Sequence, residues 1–155
     1  MTSETSRPEK LFTVEQANAA LPLVRAITTD LVRLAREVIE RRERLALLTA
    51  GRSGAAKDPY TEELAQIEEE LDKDGEQLQA YVDELRALGV EPKSGPEGLI
   101  DFPSLVDDRL VYLCWKLGEP EVLYWHELEA GFRGRQSLVA GSVAQDTSER
   151  PDDTL

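Results

Sequence analysis

Cysteine and histidine are almost absent from this sequence, which contains only Cys114 and His126. A single cysteine excludes an internal disulfide and every zinc site that is built from several cysteines. A single histidine excludes motifs that need two, such as the His-Glu-x-x-His helix of zinc proteases. Glycine-rich phosphate loops, serine nucleophile elbows and dinucleotide-binding fingerprints are missing as well. The sequence therefore identifies no cofactor, although a divalent metal is compatible with it.

Long apolar runs and an excess of positive charge are also missing. No stretch approaches the length of a membrane span, and the N-terminus lacks the apolar run of a signal peptide. These features predict a cytoplasmic protein with no membrane partner. The formal net charge is −13, with 31 acidic residues against 18 lysines and arginines. Because so acidic a chain repels phosphate backbones, we expect no nucleic-acid partner.

The length and composition suit one folded domain. The chain has 155 residues, of which 41% are hydrophobic, and this is enough for a single core. Polar segments at residues 1–10 and 139–155 predict disordered tails. The domain is expected over residues 11–138, with a helical part at 11–91 and a β part at 97–130. The predicted fold class is α+β: a long antiparallel helical hairpin plus a short N-terminal helix, packed with a small antiparallel β-meander.

The first helix has a clear start signal. Thr13 can cap it, and Gln16 stands three residues later, as a capping box requires. Pro22 lacks a backbone N–H and disfavours helical geometry in the residue before it, so a break or kink is expected there. A short N-terminal helix would then precede a longer helix that runs to about Leu48.

A second long helix is predicted from Asp58–Pro59 to Gly89, after a flexible loop. Apolar residues recur in both long helices at steps of three and four, which predicts a heptad seam between them. Each seam has one polar interruption, Arg41 in the first helix and Asp74 in the second. An antiparallel arrangement would bring these two residues together as an ion pair.

The two long helices also differ in charge. Residues 22–49 hold six arginines and four acids, whereas residues 59–88 hold ten acids and two bases. A two-helix layer leaves an outer face that can pack against a further helical layer. These features favour a non-catalytic protein-interaction or self-association module. They predict a homodimer or other homo-oligomer, or a complex with a protein partner.

Three short strands are predicted at residues 99–102, 109–116 and 121–127. A tight turn between the second and third strands would set their register, with Val111 opposite His126. Side chains in a strand alternate between the two faces of a sheet, so the register also decides which residues share a face.

In the predicted register, Cys114 and His126 lie on opposite faces. This separation argues against a cysteine–histidine nucleophile pair, and Cys114 is expected to be a buried, unreactive core residue. Trp115 and Trp125 also lie on opposite faces. One tryptophan would then need cover from a partner, a ligand or the C-terminal segment.

His126 is the best candidate for a metal ligand. It could bind a divalent ion together with carboxylates from Asp101, Glu127 or Glu129, because imidazole and carboxylate are common metal ligands. A metal-dependent enzyme or small-anion binder is therefore the alternative function. The competing interpretation of His126 is a histidine at the core edge whose ring nitrogens bond backbone or a carboxylate.

Arg133 and Arg135 lie in a segment with two glycines and could bind an anion. Two guanidinium groups can hold a carboxylate or a phosphate with paired hydrogen bonds. In the competing interpretation they neutralise nearby acids such as Glu127, Glu129 or the acidic helix.

Several motifs together resemble a known family. They are Phe12–Pro22, Gly98–Pro103, Val111–Glu119, Trp125–Glu127 and Gly131–Arg135. On these motifs the chain is similar to the bacterial domain-of-unknown-function family number 2203, over roughly residues 11–138, although Ser137 stands where that family has a proline. The resemblance implies no activity, so it assigns no catalytic residue.

The distinctive motifs lie in the first helix and in the strands, whereas the heptad seam is generic. The resemblance therefore implies that any function is located where the sheet meets the N-terminal helix. The residues that it singles out for testing are Asn18, Asp101, Cys114, Trp115, His126, Glu127, Arg133 and Arg135.

Overall fold

The structure of the protein, a computed structural model, describes residues 10–50 and 61–138. The predicted tails apart from Lys10, the predicted loop between the helices and the predicted helix start at Asp58–Pro59 lie outside the described residues. The elements in chain order are α1 (Val14–Thr49), α2 (Thr61–Ala87), β1 (Glu91–Ser94), β2 (Leu99–Val106), β3 (Arg109–Lys116), β4 (Tyr124–Glu127), a 3₁₀ helix (Phe132–Gly134) and β5 (Gln136–Ser137).

Helix α1 starts as predicted and then continues without interruption. Thr13 Oγ1 accepts a hydrogen bond from the Gln16 N–H and Gln16 Oε1 accepts one from the Thr13 N–H, each at 3.0 Å, so the capping box is present. Pro22 lies inside α1 on its exposed side, and the prediction of a separate short N-terminal helix is wrong. Leu21 and Val24, on either side of it, are buried in the same core, and this burial outweighs the missing hydrogen bond.

Ion pairs connect α1 and α2 in antiparallel order. Arg41 pairs with Asp74, as the two polar interruptions predict, and also approaches Glu70, while Arg44 pairs with Glu63. Arg44 comes after Arg41 in α1, whereas its partner Glu63 comes before Asp74 in α2. The two helices therefore run in opposite directions. Of the helices in the described ranges, none is long and apolar enough to span a membrane.

Five strands of the described residues form one antiparallel sheet in the order β1-β2-β3-β4-β5, which confirms the α+β class. Strands β2, β3 and β4 overlap the three predicted strands, but β1 and β5 were not predicted, and the β part begins at Glu91 rather than at residue 97. Strand β1 contains Pro92, which is tolerated because this strand is at the sheet edge. Strand β5 has two residues, which are too few to show the alternation of apolar and polar residues that is typical of a strand.

The predicted register of β3 and β4 is wrong by one residue, because Tyr112 lies opposite His126. The connection between the strands is not a tight turn. It extends over residues 117–123, and the Val122 N–H donates a hydrogen bond to Asn18 Oδ1 of α1 at 2.7 Å. A shift of one residue moves every side chain of β4 to the other face of the sheet.

This shift overturns two predictions about the faces. Cys114 and His126 share one face, and Trp115 and Trp125 share the other. The tryptophan face packs against α1, with Trp115 fully buried and Trp125 partly buried in the same core. Neither tryptophan is therefore left over for a partner or a ligand. The opposite face directs Cys114 and His126 away from the helices.

Candidate functional site

Three polar side chains are buried together on the sheet face opposite the helices. Asp101 lies on β2, Cys114 lies directly opposite it on β3, and His126 lies on β4. Each residue is at most 2% exposed. One carboxylate oxygen, the Sγ atom and one imidazole nitrogen all lie within 4.8 Å of one another. These three residues, here called the polar cluster, are held together by three adjacent strands.

The hydrogen bonds of His126 determine which ring nitrogen faces the cluster. Nδ1 lies 2.7 Å from the Glu127 carbonyl oxygen, and because a carbonyl only accepts, Nδ1 carries a hydrogen. Nε2 lies 3.0 Å from Asp101 Oδ1. A neutral imidazole and an ionised carboxylate would therefore place two lone pairs against each other. A proton or a metal ion must lie between these two atoms.

Burial disfavours charge on the polar cluster. It raises the pKa of the Asp101 carboxyl, and the hydrogen bond with His126 acts in the opposite direction. Burial also raises the pKa of the Cys114 thiol to about 12, and the negative charge of Asp101 contributes to the same rise. Without a metal ion, Cys114 is therefore a protonated thiol at neutral pH.

We expect Cys114 in the folded, metal-free protein to react with iodoacetamide at pH 8 at least about ten-fold more slowly than free cysteine. A thiol with a pKa of about 12 forms far less thiolate than one with the ordinary value of 9.0, and its greater nucleophilicity offsets only part of that loss. Mass spectrometry of the alkylated chain measures the rate at its single cysteine. The chain unfolded in urea is the control, and equal rates for folded and unfolded protein would contradict the prediction.

A cavity of about 220 Å³ lies against the polar cluster. All three cluster residues line it. The other wall residues come from β1, β2 and the segment after β4, and they are Lys93, Leu99, Leu128, Glu129, Gly131 and Phe132. The cavity therefore provides space for a small molecule or an ion beside the three cluster residues.

The structure brings some of the predicted metal ligands together and separates others. Asp101 and His126 meet in the polar cluster, whereas Glu129 lies on the cavity wall outside it. The Glu127 carboxylate accepts hydrogen bonds from Arg109 Nη1 at 2.9 and 3.0 Å. Only the backbone carbonyl of Glu127 reaches His126, so this residue orients the imidazole rather than extending the cluster.

Sequence reasoning missed Cys114 as a neighbour of His126. The two residues lie on the same face of the sheet only in the observed register. The contacts that hold the connection before β4 include one between Asn18 and Val122, which are 104 residues apart. The length of the β3–β4 connection is the one signal in the sequence that another register is possible, because a connection longer than a tight turn does not fix how the two strands pair.

The two arginines considered for anion binding have different environments. Arg135 Nη2 donates to both carboxylate oxygens of Glu119 at 2.8 and 2.7 Å. Its guanidinium lies 3.8 Å from the ring centroid of Tyr124 and 4.5 Å from that of Phe132. Arg135 therefore neutralises an acid, as in the competing interpretation, whereas Arg133 is exposed.

Other distinctive residues hold the connection between β3 and β4. Trp115 Nε1–H donates to the Glu119 carbonyl oxygen at 3.0 Å, and the Lys116 N–H donates to Glu119 Oε1 at 2.9 Å. Arg25 of α1 donates to the Pro120 carbonyl oxygen at 3.2 Å. These contacts stabilise the register that forms the polar cluster.

A family model described as uncharacterized conserved protein (DUF2203) matches residues 10–138. The chain belongs to that family. The matched span includes the polar cluster, the cavity wall and the β3–β4 connection, and it confirms the resemblance that the motifs indicate. No curated protein and no solved structure matches the chain.

Proposed function

We propose that the protein binds one divalent transition-metal ion through Asp101, Cys114 and His126. The observation that carries this proposal is the set of three ligand atoms within 4.8 Å of one another in a buried cluster. Zinc–ligand bonds are about 2.0–2.3 Å long, so two ligand atoms of one ion are separated by at most twice that length. Small side-chain movements would therefore close the cluster around an ion.

The hydrogen bond of His126 supports the proposal independently. Metal-bound histidines generally donate their other ring N–H to a carbonyl or a carboxylate, which fixes the ring and directs the free nitrogen at the ion. The Glu127 carbonyl oxygen, 2.7 Å from Nδ1, is placed for this role. Nε2 is then directed at Asp101, where a metal ion could take the place of the proton between the two atoms.

The chemistry of the ligands favours zinc or a similar ion. Thiolate and imidazole suit soft and borderline metals, whereas calcium and magnesium prefer sites made of oxygen atoms. The Asp101 carboxylate and the Cys114 thiolate together balance the two positive charges of such an ion. The loaded site then buries no net charge, which removes the main cost of placing ions in a protein interior.

The number of ligands favours catalysis. Structural zinc sites generally use four protein ligands, whereas catalytic sites use three and keep the fourth position for water or substrate. The polar cluster offers three ligands and lies against a cavity. We therefore propose a metal-dependent enzyme in which the ion activates water or polarises a small molecule in that cavity.

A cobalt(II) titration of the metal-free full chain tests the metal site, because cobalt replaces zinc and reports its ligands by absorption. We expect saturation at one cobalt per chain, a strong thiolate-to-cobalt band, and displacement of the cobalt by zinc. Cys114→Ser should lose the thiolate band while its circular dichroism stays that of the folded protein. Failure of the folded wild-type chain to bind cobalt, or an unchanged band in Cys114→Ser, would overturn the proposal.

We also propose that the helical hairpin of α1 and α2 associates with a second copy of the chain. Seam residues far from the sheet, including Leu45, Leu64 and Leu71, are only half-buried, because each helix covers one side of the other. An antiparallel second hairpin would cover them and place the acidic α2 of one copy beside the more basic α1 of the other. Sedimentation equilibrium tests this, and a monomer at every concentration would contradict it.

We infer a reducing compartment, the cytoplasm, as the location. Support comes from Cys114, which the proposed metal site needs as a thiolate and which has no second cysteine to pair with. Fractionation of cells that contain the protein tests the inference, and recovery of the protein outside the cytoplasm would contradict it.

A further inference from the structure

The cavity beside the polar cluster contains an uncovered apolar surface. Three of its wall residues are apolar, namely Leu99, Leu128 and Phe132. Leu128 is 45% exposed, which is unusual for a large apolar side chain on the wall of a cavity. A ligand with an apolar part would remove this surface from water, and that burial favours binding.

Lys93 is the one basic residue among the described residues that line the cavity. Its Nζ atom lies 5.5 Å from the centroid of the Tyr112 ring, and the centroid of that ring lies 5.5 Å from that of the His126 imidazole. The lysine side chain therefore reaches from the edge strand β1 over the sheet face that carries the polar cluster.

The Lys93 ammonium is available to an anion. In the part of the chain that the structure describes, no carboxylate lies within ion-pair distance of its Nζ, although the sequence has 31 acidic residues. Glu129 is on the same wall and would repel a second negative charge on a ligand. The wall therefore suits a ligand with a single negative charge better than a doubly charged phosphate.

The size of the cavity limits the ligand to a small molecule. Its volume is about 220 Å³, whereas pockets for drug-sized ligands and cofactors have volumes of roughly 300–1,000 Å³. A short organic acid fits this limit, and a nucleotide does not.

We propose that the cavity binds a small organic monocarboxylate, with its charged group between the metal ion and Lys93 and its apolar part against Leu128 and Phe132. The proposal rests on the metal site proposed above and names the class of ligand for that site. A metal ion and an ammonium group both attract a carboxylate, and the ammonium adds charge-assisted hydrogen bonds. The apolar wall distinguishes an organic acid from an inorganic anion.

The test uses the cobalt-loaded full chain and three probes: acetate, butyrate and inorganic phosphate. A carboxylate that enters beside the metal should change the cobalt absorption in a saturable way. Butyrate should bind about ten-fold more tightly than acetate, because it buries two further methylene groups. Lys93→Gln should weaken the binding of butyrate by about ten-fold or more, with the same cobalt spectrum as the wild type before butyrate is added.

Lys73→Gln is the matched control, since it removes the same charge from helix α2 at a position that does not line the cavity. It should change butyrate binding by no more than about two-fold. Cobalt that binds normally while butyrate leaves its spectrum unchanged would overturn this proposal and leave the metal site standing. Phosphate binding as tight as that of butyrate, or equal butyrate binding in Lys93→Gln and wild type, would also overturn it. Absence of cobalt binding would overturn the metal site and this proposal together.

Discussion

Trp115→Ala should lower the free energy of unfolding by about 3–5 kcal/mol. Trp115 is the largest fully buried side chain of the described residues, so alanine would leave a cavity between α1 and the sheet. The substitution also removes the donor that satisfies the Glu119 carbonyl oxygen at 3.0 Å. The Arg25 guanidinium, 5.7 Å from the ring centroid, would lose its aromatic contact as well. The loss should therefore lie toward the upper end of the range.

Urea denaturation followed by circular dichroism measures this effect. Trp125→Ala is the matched control, because Trp125 lies on the same face of the sheet but is only partly buried, and its loss of stability should be clearly smaller. Trp115→Phe keeps most of the buried volume without the N–H donor and should fall between wild type and Trp115→Ala. Equal losses in the free energy of unfolding for the two alanine variants would contradict the prediction that Trp115 stabilises the core more than Trp125 does.

Asp101→Asn should weaken zinc binding by at least about 100-fold while leaving the fold intact. The amide has the shape of the carboxylate but is neutral and a poor ligand for a transition metal. In the metal-free protein its N–H₂ group can donate to the Nε2 lone pair of His126, so the contact that measures 3.0 Å in the wild type no longer requires a proton shared with the carboxylate. The free energy of unfolding of the metal-free variant should stay within about 1 kcal/mol of the wild type.

Competition against a chelating dye measures the zinc affinity, and urea denaturation without metal measures the stability. Glu127→Gln is the matched control. It makes the same change of chemistry at a carboxylate that contacts Arg109 instead of the cluster, and its backbone carbonyl can still orient His126. It should bind zinc as the wild type does. Equal affinities for Asp101→Asn and Glu127→Gln would show that Asp101 is not a ligand.

Local signals predicted the helices well, and the exceptions have physical causes. The capping box of Thr13 and Gln16 follows from a spacing of three residues. The pairing of Arg41 with Asp74 follows from the place of each residue in the apolar repeat of its helix. The continuation of α1 through Pro22 does not follow from local spacing, because the core contacts that stabilise the helix there are made with distant parts of the chain. The edge strands β1 and β5 likewise depend on their neighbours in the sheet rather than on their own sequence.

The candidate site was predictable only in part. Asp101 and His126 were expected as ligands from their chemistry, and the structure places them in contact. The sequence predicts Cys114 on the opposite face, because its turn signal between β3 and β4 is that of a tight turn. The connection is longer than a tight turn, and Asn18 of α1 holds its Val122 N–H, a contact between distant residues that leaves no local pattern.

The arrangement of the polar cluster depends more on the number of residues in the connection over residues 117–123 than on their identity. Many substitutions there would leave β4 in place, but inserting or deleting one residue between Val122, which Asn18 holds, and the start of β4 would rotate the whole strand by half a turn about its axis. His126 would then point into the helix-covered core and Trp125 into the cavity. A single codon gained or lost there would thus exchange the polar-cluster face of β4 for the packed face, with Asp101, Cys114 and His126 all still present in the sequence.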